Sequence, residues 1–163
     1  MTLGFKQQFP WGEPTKFREK VLAVVNYMEI VDKVPVRADS DHHMITVKAH
    51  HPKLHTFRAD PHNRWKAGRR IEMVYRGAGY RILDHFNKGI PELEKCVSTQ
   101  KIKIDWIPVS GKHIVMSVLV DGKMITDIDS LAANDGFSSK ENFMKWFKKP
   151  FEGKIIHWTD LRY

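Results

Sequence analysis

The sequence predicts an α+β fold, a curved sheet or small β-barrel flanked by about three helices. Three observations carry this prediction. Lys101-Ile-Lys-Ile-Asp-Trp106 alternates strictly, with Ile102, Ile104 and Trp106 on one face, which is the period of a half-buried strand. Phe17, Val21, Val24 and Met28 recur at spacings of three and four, the apolar stripe of a helix. In the last third, helical spacing returns at Phe143, Trp146 and Phe147 before a final apolar run at Lys154–Trp158. Strands gathered in the middle, with helices before and after them, make an α+β arrangement.

Leu3-Gly-Phe5 is a candidate short strand. Pro14 suits the first turn of a helix, where its missing N–H costs nothing, so the first helix is expected from Pro14 to about Asn26. Residues 27–50 hold Val34-Pro-Val, the polar cluster Arg37–His43, which is a loop by composition, and a candidate strand Met44–Ala49. Lys53–Arg58 reads as extended, and Asp60-Pro-His-Asn63 as a turn. Ile71–Tyr75 and Tyr80–Leu83 flank Gly77-Ala-Gly79 as two strands around a tight connection. His113–Val120 is an apolar strand joined by Asp121-Gly122 to Lys123–Thr126, a two-residue hairpin signal. Asp127–Asn134 predicts a short helix closed by Gly136 in a left-handed conformation. Ser138-Ser-Lys-Glu141 fits a capping box for the last helix, which Pro150 ends.

The chain has 163 residues, enough for a single domain with its own core, and no repeat or linker divides it. A lone cysteine, Cys96, excludes an internal disulfide framework and suits a reducing compartment. No apolar run approaches the ~20 residues of a membrane helix. The first residues lack a basic stretch followed by an apolar one, so a cytoplasmic location and no membrane partner are expected. Lys and Arg total 27 against 19 Asp and Glu, a net charge of +8 that suits either a polyanionic partner or simple solubility.

Several groups of residues could carry chemistry. Lys53, Thr56 and Arg58 share one extended segment, where Arg58 offers a planar fork for a phosphate or a base edge and Thr56 a hydroxyl. A basic strand at a sheet edge is the plainer reading of the same residues. Strand parity would separate Lys53 from Thr56, unless a bend at Pro52 brings them together. Arg64-Trp65-Lys66 and Arg69-Arg70, with Tyr75-Arg76 and Tyr80-Arg81 beyond, interleave cations with rings as single-stranded nucleic acid requires. Trp65 either stacks on a base or plugs the end of a barrel. Lys145-Trp-Phe-Lys-Lys149, with Lys140 and Lys154, is explained by the dipole at a helix end or by a phosphate-contacting face. Six of the nine histidines fall between His42 and His62, but without metal-ligand spacing. The sequence predicts no metal and no cofactor, and Cys96 has no evident partner for nucleophilic work.

Lys53-x-x-Thr56-x-Arg58, followed by Trp65-Lys-x-Gly68-x-x-Ile71, resembles the signature of the ASCH domain family. Gly4-Phe-Lys with the first helix resembles that family's opening, and Asn134–Ser139 with the Phe143–Phe147 helix and the strand before Trp158 resembles its end. Residues 27–50 then read as an insertion. His51 stands where the family often has Gly. The resemblance implies a PUA-like β-barrel whose cleft holds the Lys, Thr and Arg, and a partner that is RNA, other single-stranded nucleic acid or a nucleotide. Lys53, Thr56, Arg58, Arg64, Trp65, Lys66, Arg69 and Arg70 are the candidate contacts. Some small bacterial members are amidohydrolases that remove the acetyl group of N4-acetylcytidine with a Lys, a Thr and a Glu. By that likeness Lys53 would be the base, Thr56 the nucleophile and Asp135, in place of Glu, the carboxylate, acting on a free modified nucleoside.

Overall fold

The computed structural model describes residues 1–33, 51–76, 82–110 and 113–163. Its described strands number eight and its α-helices three. They run β1 (Thr2–Lys6), α1 (Phe17–Lys33), β2 (His55–Arg58), β3 (Glu72–Arg76), β4 (Ile82–His85), β5 (Ser98–Ser110), β6 (His113–Val120), β7 (Lys123–Met124), α2 (Ile128–Asn134), α3 (Lys140–Trp146) and β8 (Phe151–His157). The α+β class therefore holds. The strands form two sheets, β1-β3-β4 and β2-β8-β5-β6-β7, and among the described residues no closed barrel is formed.

β1 lies parallel to β3, and β3 antiparallel to β4. In the larger sheet every pairing is antiparallel, with β8, the last strand, inserted between β2 and β5. This insertion places β2 at an edge, next to the segment that precedes it. Asp121 and Gly122 both have positive φ (48° and 82°), the geometry of the tight turn joining β6 to β7. β7 is shorter than the expected Lys123–Thr126.

Two expected boundaries move. Pro14 bridges to Gln8 in an extended pair, and the helix begins three residues later, at Phe17. α1 continues to Lys33, into the stretch expected to be an insertion. The cap of α3 is Ser139 rather than Ser138: its hydroxyl accepts from the Asn142 N–H at 3.2 Å, while Ser138 Oγ accepts from the Asn142 amide. The Arg37–His43 loop, the Met44–Ala49 strand region and the Gly77-Ala-Gly79 connection lie outside the described residues.

One core joins the two sheets to the helices. It holds Leu3, Phe5, Phe17, Val21, Val24, Phe57, Ile102, Ile104, Leu131, Phe143, Ile155, Ile156 and Trp158. Phe17, Val21 and Val24 are the predicted stripe of α1, and Ile102 and Ile104 the predicted face of β5. No helix among the described residues is long and apolar enough to cross a membrane.

Gly153 of β8 lies where β2 crosses closest. A Cβ there would sit 2.4 Å from the carbonyl oxygen of Arg58, a backbone atom with no freedom to retreat. Gly153→Ala should cost about 1–3 kcal/mol of stability through overpacking. Chemical denaturation measures this, and an unchanged midpoint would contradict the β2–β8 packing.

Candidate functional site

Lys53 precedes β2, so strand parity does not govern it. Its backbone is held on both sides. Its N–H donates to the Lys20 carbonyl of α1 at 2.9 Å, and its carbonyl accepts from Trp158 Nε1 at 3.1 Å. The next N–H, of Leu54, donates to the Asn134 carbonyl at the end of α2 at 2.8 Å. These bonds turn the Lys53 side chain inward, where it is 1% exposed.

Its ammonium meets Asp135, the residue that ends α2. Nζ donates to Oδ1 at 2.5 Å and also to the Asp135 carbonyl. Lys20 Nζ donates to the neighbouring Gly136 carbonyl at 2.5 Å. Two lysines thus satisfy carbonyls left open where a helix ends, at the negative end of its dipole. Gly136 has φ +85°, and a Cβ there would press on Lys53 and Phe17 at 3.2 Å, so both the turn and the packing require glycine.

Lys53 Nζ lies 4.6 Å from the centre of the Phe17 ring, and Arg58 Cζ 5.4 Å from that of Phe5. Arg58 is spent on protein acceptors. Nη2 donates to the Gly4 carbonyl at 2.8 Å, and Nη1 to the Phe57 carbonyl at 2.8 Å and to Thr56 Oγ1 at 3.0 Å. It therefore clasps β2 to β1 across the two sheets.

A cavity of about 150 Å³ opens here, lined by Lys6, Lys53, Thr56, Arg58 and Asp135 among the rings of Phe5, Phe17, Phe57, Phe137, Trp146 and Phe147. The structure thus gathers Lys53, Thr56, Arg58 and Asp135 at one place. Burial pulls the Lys53 ammonium down from the ordinary lysine range to about 8; the Asp135 carboxylate opposes this, and Arg58 and Lys20 add to it. Burial works against the Asp135 charge, but Lys53 and His55 outweigh it and hold that carboxyl below its ordinary range.

The other candidates lie elsewhere. Trp65 is 4% exposed and belongs to the core, so it is not offered to a base. Its N–H donates to Asp60 Oδ2 at 2.9 Å and its carbonyl accepts from Lys154 at 2.6 Å. Arg64, Lys66, Arg69 and Arg70 are exposed and line no part of the cavity. Arg69 donates to the Arg64 carbonyl at 2.7 Å, and Arg70 pairs with Glu94 at 3.3 Å. His42, His43 and His50 lie outside the described residues, His51 and His62 are exposed, and His55 is buried. Among the described residues no three His, Cys, Asp or Glu side chains could share a metal ion.

Sequence reasoning missed the polar group behind Asp135. His55 Nδ1 faces Asp135 Oδ1 at 3.7 Å, and His55 Nε2 meets the Tyr163 hydroxyl at 2.7 Å. His157 pairs with His55 across β2 and β8, their rings 5.3 Å apart, and neither of its nitrogens has a hydrogen-bond partner among the described residues. Alternation in β2 and β8 could have put both histidines on the inner face; nothing in the sequence brings Tyr163 to them. Comparison with protein-family models, with curated proteins and with solved structures gives no match to this chain.

Burial, with the nearby His55 and Arg162, depresses the His157 imidazole from its ordinary 6.5 to about 3. Between those values the unfolded chain binds a proton that the folded one refuses. The stability held above pH 6.5 is therefore lost as pH falls toward 3, by up to about 1.4 kcal/mol per pH unit. His157→Leu should flatten that acid limb in denaturation measured from pH 7 to 4; a parallel pH dependence in both proteins would show that His157 protonates freely when folded.

Proposed function

We propose that the cavity around Lys53 receives the base of a nucleotide, free or within RNA, and that the chain is an ASCH-type, PUA-like domain acting in the cytoplasm. The observation that carries the reading is the lining: three cations, Lys6, Lys53 and Arg58, and a single carboxylate, set among six aromatic rings. Aromatic walls stack or enclose a planar base, and the excess positive charge favours an electron-rich or anionic ligand. At about 150 Å³ the cavity is smaller than the ~300–1,000 Å³ of sites for drug-sized ligands, so it takes one ring or an acyl group, not a whole nucleotide.

The rest of a chain has somewhere to lie. Phe57, Trp146 and Phe147 are shared with a second depression of about 410 Å³, which continues past Lys148, Lys149, Pro150 and Phe151. Lys148 and Lys149 are exposed and so free to meet phosphates, unlike the buried Lys53 and the half-buried Arg58, both of which bond protein acceptors. This shifts phosphate contact from the signature residues to the end of α3. The resemblance supports the same reading, since its Lys, Thr and Arg positions share one cavity with Asp135.

A second reading, hydrolysis of an N4-acylated cytidine-type nucleoside, is favoured by one observation: the depressed lysine, a hydroxyl and a carboxylate line the same small cavity. Neutral Lys53 would accept the Thr56 proton as Oγ1 attacks the acyl carbon. That proton would pass to the departing amine as the C–N bond breaks, leaving an acyl ester on Thr56 for water to hydrolyse. Asp135 would orient Lys53.

Mixing the protein with N4-acetylcytidine and following cytidine by chromatography tests the second reading. Turnover should rise with pH to a plateau above about 8, as Lys53 loses its proton, and should fall at least 100-fold in Lys53→Ala. Without turnover, binding of single-stranded RNA should weaken log-linearly with salt, with a slope of about −0.7 per phosphate contacted. Neither turnover nor salt-dependent binding would contradict both readings.

A further inference from the structure

Behind the cavity, a chain of polar groups runs from Asp135 into the protein, and the direction of its protons follows from the geometry. Tyr163 is fixed from two sides by β5. Its N–H donates to Gln100 Oε1 at 3.0 Å and its carbonyl accepts from Gln100 Nε2 at 3.0 Å, while that same amide also bonds Asp121 Oδ2 at 3.0 Å. This fixes the Tyr163 ring edge-on to His55, with centroids 5.5 Å apart. Asn134 Nδ2, one residue before Asp135, donates to the Tyr163 hydroxyl oxygen at 3.0 Å. The hydroxyl proton is then available to His55 Nε2 at 2.7 Å.

His55 is fully buried and stacked on Phe57, 5.2 Å between centroids, so its ring cannot turn without disturbing the core. The groups that face it are Asp135 from α2, Lys53 ahead of β2, His157 from β8, and Tyr163. A neutral imidazole has one proton and two places for it. On Nε2 it would leave a lone pair at Nδ1 pointing at the Asp135 carboxylate, negative against negative. On Nδ1 the N–H faces that carboxylate at 3.7 Å, beyond hydrogen-bond length but close enough for electrostatic attraction, and Nε2 accepts from Tyr163. Both neighbours favour the second form.

We propose that His55 and Tyr163 are positioning residues for the Lys53–Asp135 pair: Tyr163 locks His55 as the Nδ1–H tautomer, whose positive end is aimed at Asp135. This inference rests on the proposed use of Lys53 as a base only for its effect on turnover. The aimed N–H keeps Asp135 ionised, so the carboxylate remains fixed on Lys53. It also brings a positive dipole end toward the ammonium, easing loss of the Lys53 proton. Reversing the tautomer would present a lone pair instead, and both Asp135 and Lys53 would then hold protons more tightly.

Tyr163→Phe removes the hydroxyl and keeps the ring. Nitrogen-15 NMR of the imidazoles in the full chain reads the His55 tautomer, and carbon-13 NMR of labelled lysine reads the titration of Lys53. The wild type should show Nδ1 protonated and Nε2 bare. Tyr163→Phe should populate the opposite tautomer and move the Lys53 titration to higher pH by half a unit or more. If N4-acetylcytidine is turned over, its pH profile should move up by the same amount, lowering kcat at pH 7.5 several-fold with little change in KM. A purely structural role for Tyr163 would lower thermal stability but leave tautomer and titration alone, and that result overturns the proposal, as does an Nε2-protonated His55 in the wild type. Absence of turnover would sink the hydrolase reading while the two spectra still decide this one.

Discussion

A lysine ammonium costs several kcal/mol to take out of water unless a partner meets it, and Lys53 is among the most deeply buried side chains of this protein. Asp135 meets it at 2.5 Å, and much of the surrounding architecture follows from keeping the two together. α1 supplies the carbonyl that holds the Lys53 backbone, α2 must end at Asp135, and Gly136 must turn away without a Cβ. β8 must then bring Trp158 to the Lys53 carbonyl. Segments more than 80 residues apart in sequence are thereby fixed to one another at a single point.

Removing one partner of such a pair is far more damaging than removing both, because the survivor is left charged and dry. The pair therefore contributes position more than stability. It sets an amine of lowered pKa, a hydroxyl and a carboxylate beside a cavity the size of one ring. Arg58 does the complementary mechanical work: by bonding the Gly4 carbonyl it ties the edge strand β2 to the smaller sheet. The arginine that the sequence offers for phosphate is occupied in forming the wall of the cavity.

Local patterns in the sequence were enough to find most elements. Alternation at Lys101–Trp106, the Asp121-Gly122 turn and the helical spacing of Phe17, Val21 and Val24 each express a local rule, and each appears in place. Where a boundary slipped, a competing local contact decided it: Pro14 pairs with Gln8 as extended backbone, and the Asn142 N–H bonds the Ser139 hydroxyl while its side-chain amide bonds Ser138. The two-sheet order was not legible, because nothing local says that β8 inserts between β2 and β5. In the site, Lys53, Thr56 and Arg58 were found together because they are near in sequence, and Asp135 through a family resemblance. His55, His157 and Tyr163 were missed because their meeting depends on strand pairing and on the hydrogen bonds of Gln100. Trp65 misled in the usual way of a large ring among charges: its neighbours Arg64 and Lys66 are exposed, and it alone turns inward.

The central claim is that Lys53 and Asp135 act as one buried unit. A double-mutant cycle with Lys53→Met and Asp135→Asn, read by chemical denaturation, measures that directly. Each single substitution should cost about 3–5 kcal/mol by stranding the other charge, and the double should cost less than either single. Costs that simply add, within about 0.5 kcal/mol, would mean that the two side chains do not depend on each other in the folded protein.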